Sequence, residues 1–242
     1  MEPDVKIFPD KEETAGQLAK DLYEKLQNFN NREKKFCIAL SGGNTPRIFF
    51  RLLAEKYSQK IKWDKINLFW GDERCVPPDD PESNYGMAKE TLINFITIPQ
   101  KNIFRIKGEI NPFIEAKNYS KTVETNVPLV NNLPSFDLML LGLGEDGHTA
   151  SIFPNQMSLL KSDKICETSI HPESMQKRIT LTGKVINNSK WIVFLVMGEK
   201  KSLIISKILK KSNEAEIYPA YHIIPTLGKP EWYLDKSSAK YL

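Results

Sequence analysis

Three short stretches hold side chains whose types and spacing suit chemistry on a small anionic molecule. In Gly142-Leu-Gly-Glu-Asp-Gly-His148, a histidine follows an aspartate by two residues inside a glycine-rich turn. A neutral imidazole can take a proton from water and return it to a leaving group, an effect typically worth about 10²–10⁴ in rate. Asp146 can orient or polarise such a base, although a short aspartate in a glycine turn is also a common structural cap. Ser41-Gly-Gly-Asn-Thr-Pro46 joins an apolar run to a helical pattern. A helix N-terminus exposes unpaired N–H groups and partial positive charge, so Gly42 and Gly43 lie in a candidate phosphate cradle. The nucleoside-triphosphate form is excluded, because its Gly-Lys-Ser/Thr ending is missing, and a Gly-Gly turn that only reverses the chain remains the bland alternative. Gly71-Asp-Glu-Arg74 is the third stretch, with three charged residues at the end of another apolar run.

Each stretch needs an element that delivers it. Phe136 to Leu141, Phe36 to Leu40, Ile66 to Trp70 and Trp191 to Met197 are apolar without alternation, as in strands covered on both faces of a parallel sheet. Open α/β sheets keep their ligands beyond the carboxyl ends of such strands, where all three stretches fall. The helices between them follow from apolar spacing: about Glu12 to Phe29 capped by Asp10, one from Thr45 as N-cap with Pro46 first, Ser83-Asn84 to Phe95, and Pro112 to Glu124. In the last, Phe113, Ala116, Tyr119 and Val123 are placed on one side. Val5 to Phe8, Ile103 to Ile106 and Trp232 to Leu234 are expected as short strands, with a short final helix. Lys164 to Glu167 and Arg178 to Thr182 alternate like strands with one wetter face, an antiparallel annex. Pro77, Pro78 and Pro81 rule out regular structure there and give a shaped lid or wall. The expected fold is α/β: a mainly parallel open sheet flanked by helices, Rossmann-like and three-layered, as one domain over 1–242 with no internal repeat or linker.

Composition narrows the class. The 40% hydrophobic content supplies a substantial core, and three widely separated cysteines offer neither a disulfide framework nor a zinc site. A reducing, cytoplasmic setting is the expectation, since the N-terminal residues lack a signal-peptide pattern and no apolar stretch is long enough to span a bilayer. The net charge of +4 is scattered lysine without a nucleic-acid motif, so neither nucleic acid nor membrane is an expected partner. An anionic small substrate would not be repelled.

Gly142, Gly144 and Gly147 satisfy G-x-G-x-x-G after a strand, and Glu167 lies about where a ribose-binding acid would. That pattern also requires a helix to open at once. Pro154 and weak helical periodicity over 148–163 argue against it, and with it against NAD.

The ordered set Ser-Gly-Gly-x-Thr-Pro, Trp-Gly-Asp-Glu-Arg with Ser-Asn-Tyr downstream, Leu-Gly-x-Gly-x-Asp-Gly-His-Thr-Ala-Ser-x-Phe-Pro, Arg-Ile-Thr-Leu-Thr and Gly-x-x-Lys resembles the 6-phosphogluconolactonases, over nearly the whole chain. Departures are small: Asn44 stands where serine is usual, and the segment before Arg178 lacks a proline cluster. The resemblance implies hydrolysis of 6-phospho-D-glucono-1,5-lactone, the second step of the oxidative pentose phosphate pathway, without metal or organic cofactor. It makes His148 the base with Asp146 beside it. Gly42, Gly43, Asn44 and Thr45 are then the binding loop, and Asp72 an acidic site position. Arg74, Arg178 and Lys201 become cations around the substrate, Arg74 and Lys201 being favoured for the phosphate. A monomer is favoured. His171 and His222 lack a companion acid and are assigned to surface or packing.

Two alternatives remain. Glucosamine-6-phosphate deaminases share the turn but carry a glutamate before the proline, where this chain has Phe153. Sugar-phosphate sensors of bacterial regulators normally carry a helix-turn-helix module ahead of the sugar domain, for which only some 35 residues are at hand, most of them assigned to a strand and helix.

Overall fold

A computed structural model of the chain describes residues 2–29 and 34–242. Its centre is a six-stranded sheet of β1 (Asp4–Phe8), β2 (Phe36–Leu40), β3 (Ile66–Trp70), β7 (Leu138–Leu141), β10 (Ile192–Val196) and β11 (Glu231–Asp235), in the order β1-β11-β10-β7-β2-β3. Every pairing in it is parallel. All residues of β2, β3, β7 and β10 are buried, as their unbroken apolar runs require of strands covered on both faces.

The chain winds outward from β2 to β3 and then returns to place β7 on the other side of β2. The loops leaving β2 and β7 therefore diverge, which opens the crevice where such sheets hold ligands. Those loops are 41–43 and 142–148.

Helices α1 (Lys11–Gln27), α2 (Asn44–Tyr57), α3 (Asn84–Thr91), α4 (Pro112–Asn126), α5 (Gly183–Asn187) and α6 (Ser202–Leu209) occupy the connections. Asp10 caps α1 as expected, accepting from the Glu13 N–H at 2.9 Å. Thr45 does not cap α2. Gly43, at φ 96°, makes the turn instead and the helix begins at Asn44, so Pro46 falls at its third residue, where an absent N–H still costs no intrahelical bond.

A second sheet orders β4 (Asp72–Arg74), β9 (Lys177–Leu181) and β8 (Cys166–Ile170), antiparallel throughout. The annex was expected from its two long strands; the charged triplet proves to be its third. Gly71 makes the switch between sheets: its N–H donates to the Leu40 carbonyl at 2.8 Å, and its carbonyl accepts from the Leu181 N–H at 2.8 Å. A two-residue hairpin, β5 (Leu129–Val130) with β6 (Leu133–Pro134), leads into β7.

Some local expectations fail for identifiable reasons. Residues 103–106 make only a single bridge from Ile103 to Leu68 rather than a strand. Phe113 is exposed in the first turn of α4, away from buried Ala116, Tyr119 and Val123. The helix from Ser83 ends at Thr91, with a separate 3-10 turn at Ile93–Phe95. The tail after β11 forms turns, not a helix, with Ser238 N–H and Oγ bonded back to Asp235.

Candidate active site

The crevice between the β2 and β7 loops is a cavity of about 300 Å³. Gly42, Gly43, Asn44, Thr45, Asp72, Arg74, His148, Arg178 and Lys201 all line it, and Asp146 lies directly behind His148. The residues singled out by sequence therefore converge on one place.

His148 is held by its own turn. The Asp146 carboxylate is 2.5 Å from Nδ1 and also accepts from the His148 backbone N–H at 3.1 Å. Asp146 is thus both cap and partner of the imidazole. Burial pushes its carboxyl up, but the hydrogen bonds and charge of His148 outweigh this and hold it below the usual range. An acceptor on Nδ1 selects the Nδ1–H tautomer and leaves Nε2 as the basic nitrogen. The glycines make this possible: a Cβ at Gly144 would run into the His148 ring, and one at Gly147, at φ 81°, into Tyr218. Tyr218 packs beneath the turn, where the Ala220 N–H donates to the Gly147 carbonyl at 3.1 Å. No α-helix opens directly after Gly147; 154–160 form a 3-10 segment, so the dinucleotide pattern lacks its helix.

Side chains alternate across a strand, so Asp72 and Arg74 share the face of β4 that looks into the cavity while Glu73 points away. Asp72 is 6% exposed; its Oδ2 accepts from Ser151 Oγ at 2.6 Å, and Asn84 Nδ2 donates to its backbone carbonyl at 2.9 Å. Asn84 also fills the space beside Gly42, where a Cβ would collide with it.

Opposite Arg74 in the ladder stands Arg178, 8% exposed. Two guanidinium groups across a strand pair repel unless an anion lies between them. Both Nε atoms are buried without a partner among the described residues, and only Arg74 Nη1 is engaged, on the Glu82 carbonyl at 2.6 Å. Burial and then the neighbouring Arg74 lower the Arg178 pKa. Lys201, just before α6, is likewise lowered by burial, partly countered by Glu145. Among the described residues none of these three cations forms an ion pair, and they outnumber the two carboxylates lining the cavity, Asp72 and Glu145, which leaves a positive excess suited to a phosphate.

Phe153 is 1% exposed and packs against two histidines. Its ring centroid is 4.8 Å from that of His148 and 5.2 Å from that of His171. His171 packs there while Nδ1 accepts from the Glu173 and Ser174 N–H groups, and His222 meets the Glu216 carbonyl at 2.7 Å. Both fit the surface or packing roles expected from sequence. The 77–82 loop supplies no residue lining this cavity; Glu82 is held by Arg74 and, through its carboxylate, by Gln176 Nε2 at 2.9 Å.

Sequence reasoning left Asn84, Ser151 and Tyr218 without roles. Asn84 and Ser151 stand inside quoted motifs, but both meet Asp72 on a separate element; Tyr218 stands in none and meets Gly147 from far along the chain.

The family model described as glucosamine-6-phosphate isomerases/6-phosphogluconolactonase matches residues 9–232. A 6-phosphogluconolactonase of Haemophilus influenzae is 39% identical over 238 residues, covering 97% of this chain and 98% of the relative. Among solved structures, the crystal structure of devB protein superposes with a TM-score of 0.90 at 40% identity, covering 99% of both chains. The 6-phosphogluconolactonase from Trypanosoma cruzi superposes with a TM-score of 0.89 at 27% identity, over 100% of this chain and 98% of the other. With a family match over most of its length and a full-length relative at this identity, the chain belongs to the glucosamine-6-phosphate isomerase/6-phosphogluconolactonase family.

Proposed function

We propose that the chain hydrolyses 6-phospho-D-glucono-1,5-lactone to 6-phospho-D-gluconate, the second step of the oxidative pentose phosphate pathway, as one cytosolic, monomeric catalytic unit. The observation that carries the mechanism is His148, with Asp146 on Nδ1 and its ring on a cavity lined by three cations that form no ion pair among the described residues. The relatives named above as 6-phosphogluconolactonases support the substrate.

In this reading the phosphate is held by Arg178, Lys201 and Arg74, and the lactone carbonyl faces His148. Nε2 takes a proton from water as its oxygen bonds to C1, forming a tetrahedral oxyanion. Asp146 stabilises the imidazolium and keeps the tautomer. Backbone N–H groups of the Gly42-Gly43 loop, at the positive end of α2, stabilise the oxyanion. Collapse breaks the bond from C1 to the ring oxygen, which receives the proton from Nε2. The carboxylic acid product then releases a proton to solvent. No step calls for a metal, and among the described residues no cluster of three or more His, Cys, Asp or Glu is placed to hold one. No described helix is long and apolar enough to cross a membrane.

Deamination is disfavoured by Phe153: a buried phenyl ring against His148 cannot relay a proton where the deaminases carry a glutamate. The test is acid release from freshly generated phosphorylated lactone, followed by pH-stat against the spontaneous rate. Acceleration supports the reading, whereas no acceleration, or ammonia release from glucosamine 6-phosphate, overturns it.

A further inference from the structure

Glu73 belongs to the charged triplet yet takes no part in the chemistry above. It is 2% exposed and points away from the cavity toward α3. There Oε1 accepts from the Asn84 N–H at 2.7 Å and the Arg74 N–H at 2.8 Å, while Oε2 accepts from the Tyr85 N–H at 2.8 Å and Ser83 Oγ at 3.2 Å. A carboxylate from one element thus satisfies the free N–H groups at the start of another. Residues joined by it reach the cavity on its far side. Asn84 touches Gly42 and Asp72, and Arg74 is braced by the Glu82 carbonyl just before α3.

We propose that Glu73 is a positioning residue for the anion-binding side of the cavity: its carboxylate clamps residues 83–85 to β4 and so sets the Arg74 guanidinium and the Asn84 amide in place. The Trp-Gly-Asp-Glu-Arg and Ser-Asn-Tyr stretches are, on this account, two halves of one clamp. The proposal rests on the reading of the cavity as a phosphate site.

Charge and position predict opposite outcomes, which makes the proposal testable. The groups facing the carboxyl are Asp72, Arg74 and Cys75 on its own segment, Arg178 on β9, Tyr85 on α3 and Tyr119 on α4. With Arg178 among them, neutralising Glu73 by charge alone would tighten anion binding. Glu73→Gln also presents an amide donor to N–H groups that need an acceptor, so the clamp loosens.

The experiment measures inorganic sulfate binding to the full chain by calorimetry, together with kcat and KM for the phosphorylated lactone. Expected for folded Glu73→Gln is a sulfate Kd and a KM both raised about tenfold, with kcat within about threefold. A Kd unchanged within twofold, or lowered, overturns the proposal. If the variant does not fold, the wild-type protein supplies the test: the Asn84 and Tyr85 amide resonances should titrate together, and sulfate affinity should fall as pH falls through their midpoint. Amides that do not titrate together, or affinity that holds or rises there, overturn it. Sulfate binding without lactone turnover in the wild type would sink the lactonase reading alone, since Glu73 is read out by binding.

Discussion

Asp146 Oδ1 lies 2.5 Å from His148 Nδ1 and 3.1 Å from the His148 backbone nitrogen, so one oxygen fixes both the turn and the ring it carries. Cap and partner are then separable by an isosteric change. Asp146→Asn retains a carbonyl oxygen for the backbone N–H but no longer stabilises an imidazolium. Steady-state kinetics should show kcat lowered by about 10²-fold or more, with KM little changed and the fold intact by circular dichroism. An unchanged kcat would reduce Asp146 to a cap.

The absence of a side chain at Gly144 is a second requirement. Gly144→Ala would drive a methyl group into the His148 ring and the Asp146 carboxylate. The ring must rotate, and a displacement of about 1 Å at a reacting group can cost about 10²-fold. Activity should fall at least tenfold while thermal unfolding shifts only a few degrees. Near-normal kcat would show that the ring has room that the geometry does not reveal.

Lys201 should act in binding rather than in the proton transfers. Lys201→Ala is expected to raise KM about tenfold or more, leaving kcat within about threefold, because the contact with a distant phosphate is made equally in ground and transition states. A kcat loss comparable to that of a His148 variant would move Lys201 into the chemistry.

Stability should carry a signature of Glu73. Burial, opposed by three backbone hydrogen bonds, raises its pKa from 4.5 to about 7 in the folded protein. Between those values the folded state holds a proton that the unfolded state has lost, so this group makes stability fall as pH rises through the window. Denaturant titrations at pH 5 and pH 8 should show Glu73→Gln more destabilised, relative to wild type, at pH 5. An equal difference at both values would contradict the raised pKa.

Much of the site was legible in the sequence because fully buried parallel strands read as unbroken apolar runs and their ends read as glycine and charge. His148 and Gly42-Gly43 follow directly from such ends, whereas Lys201 is what the family resemblance implies. Contacts made by the annex were not legible. Asp72-Glu73-Arg74 reads as charge at the end of a buried strand, not as a strand itself, and only its pairing with β9 sets Arg178 opposite Arg74. Ser151 meets Asp72 across 79 residues, a distance no local pattern encodes. Thr45 was misplaced for a local reason: a helix-start pattern cannot reveal that Gly43 adopts a positive φ and starts the helix earlier.

The mechanism stands or falls on His148 as the base for lactone hydrolysis. It is tested most directly by pH-stat measurement of kcat for His148→Ala on freshly generated phosphorylated lactone, corrected for the spontaneous rate. Removing the base should cost about 10²–10⁴ in kcat with sulfate binding retained. A variant that keeps near-wild-type kcat would contradict it.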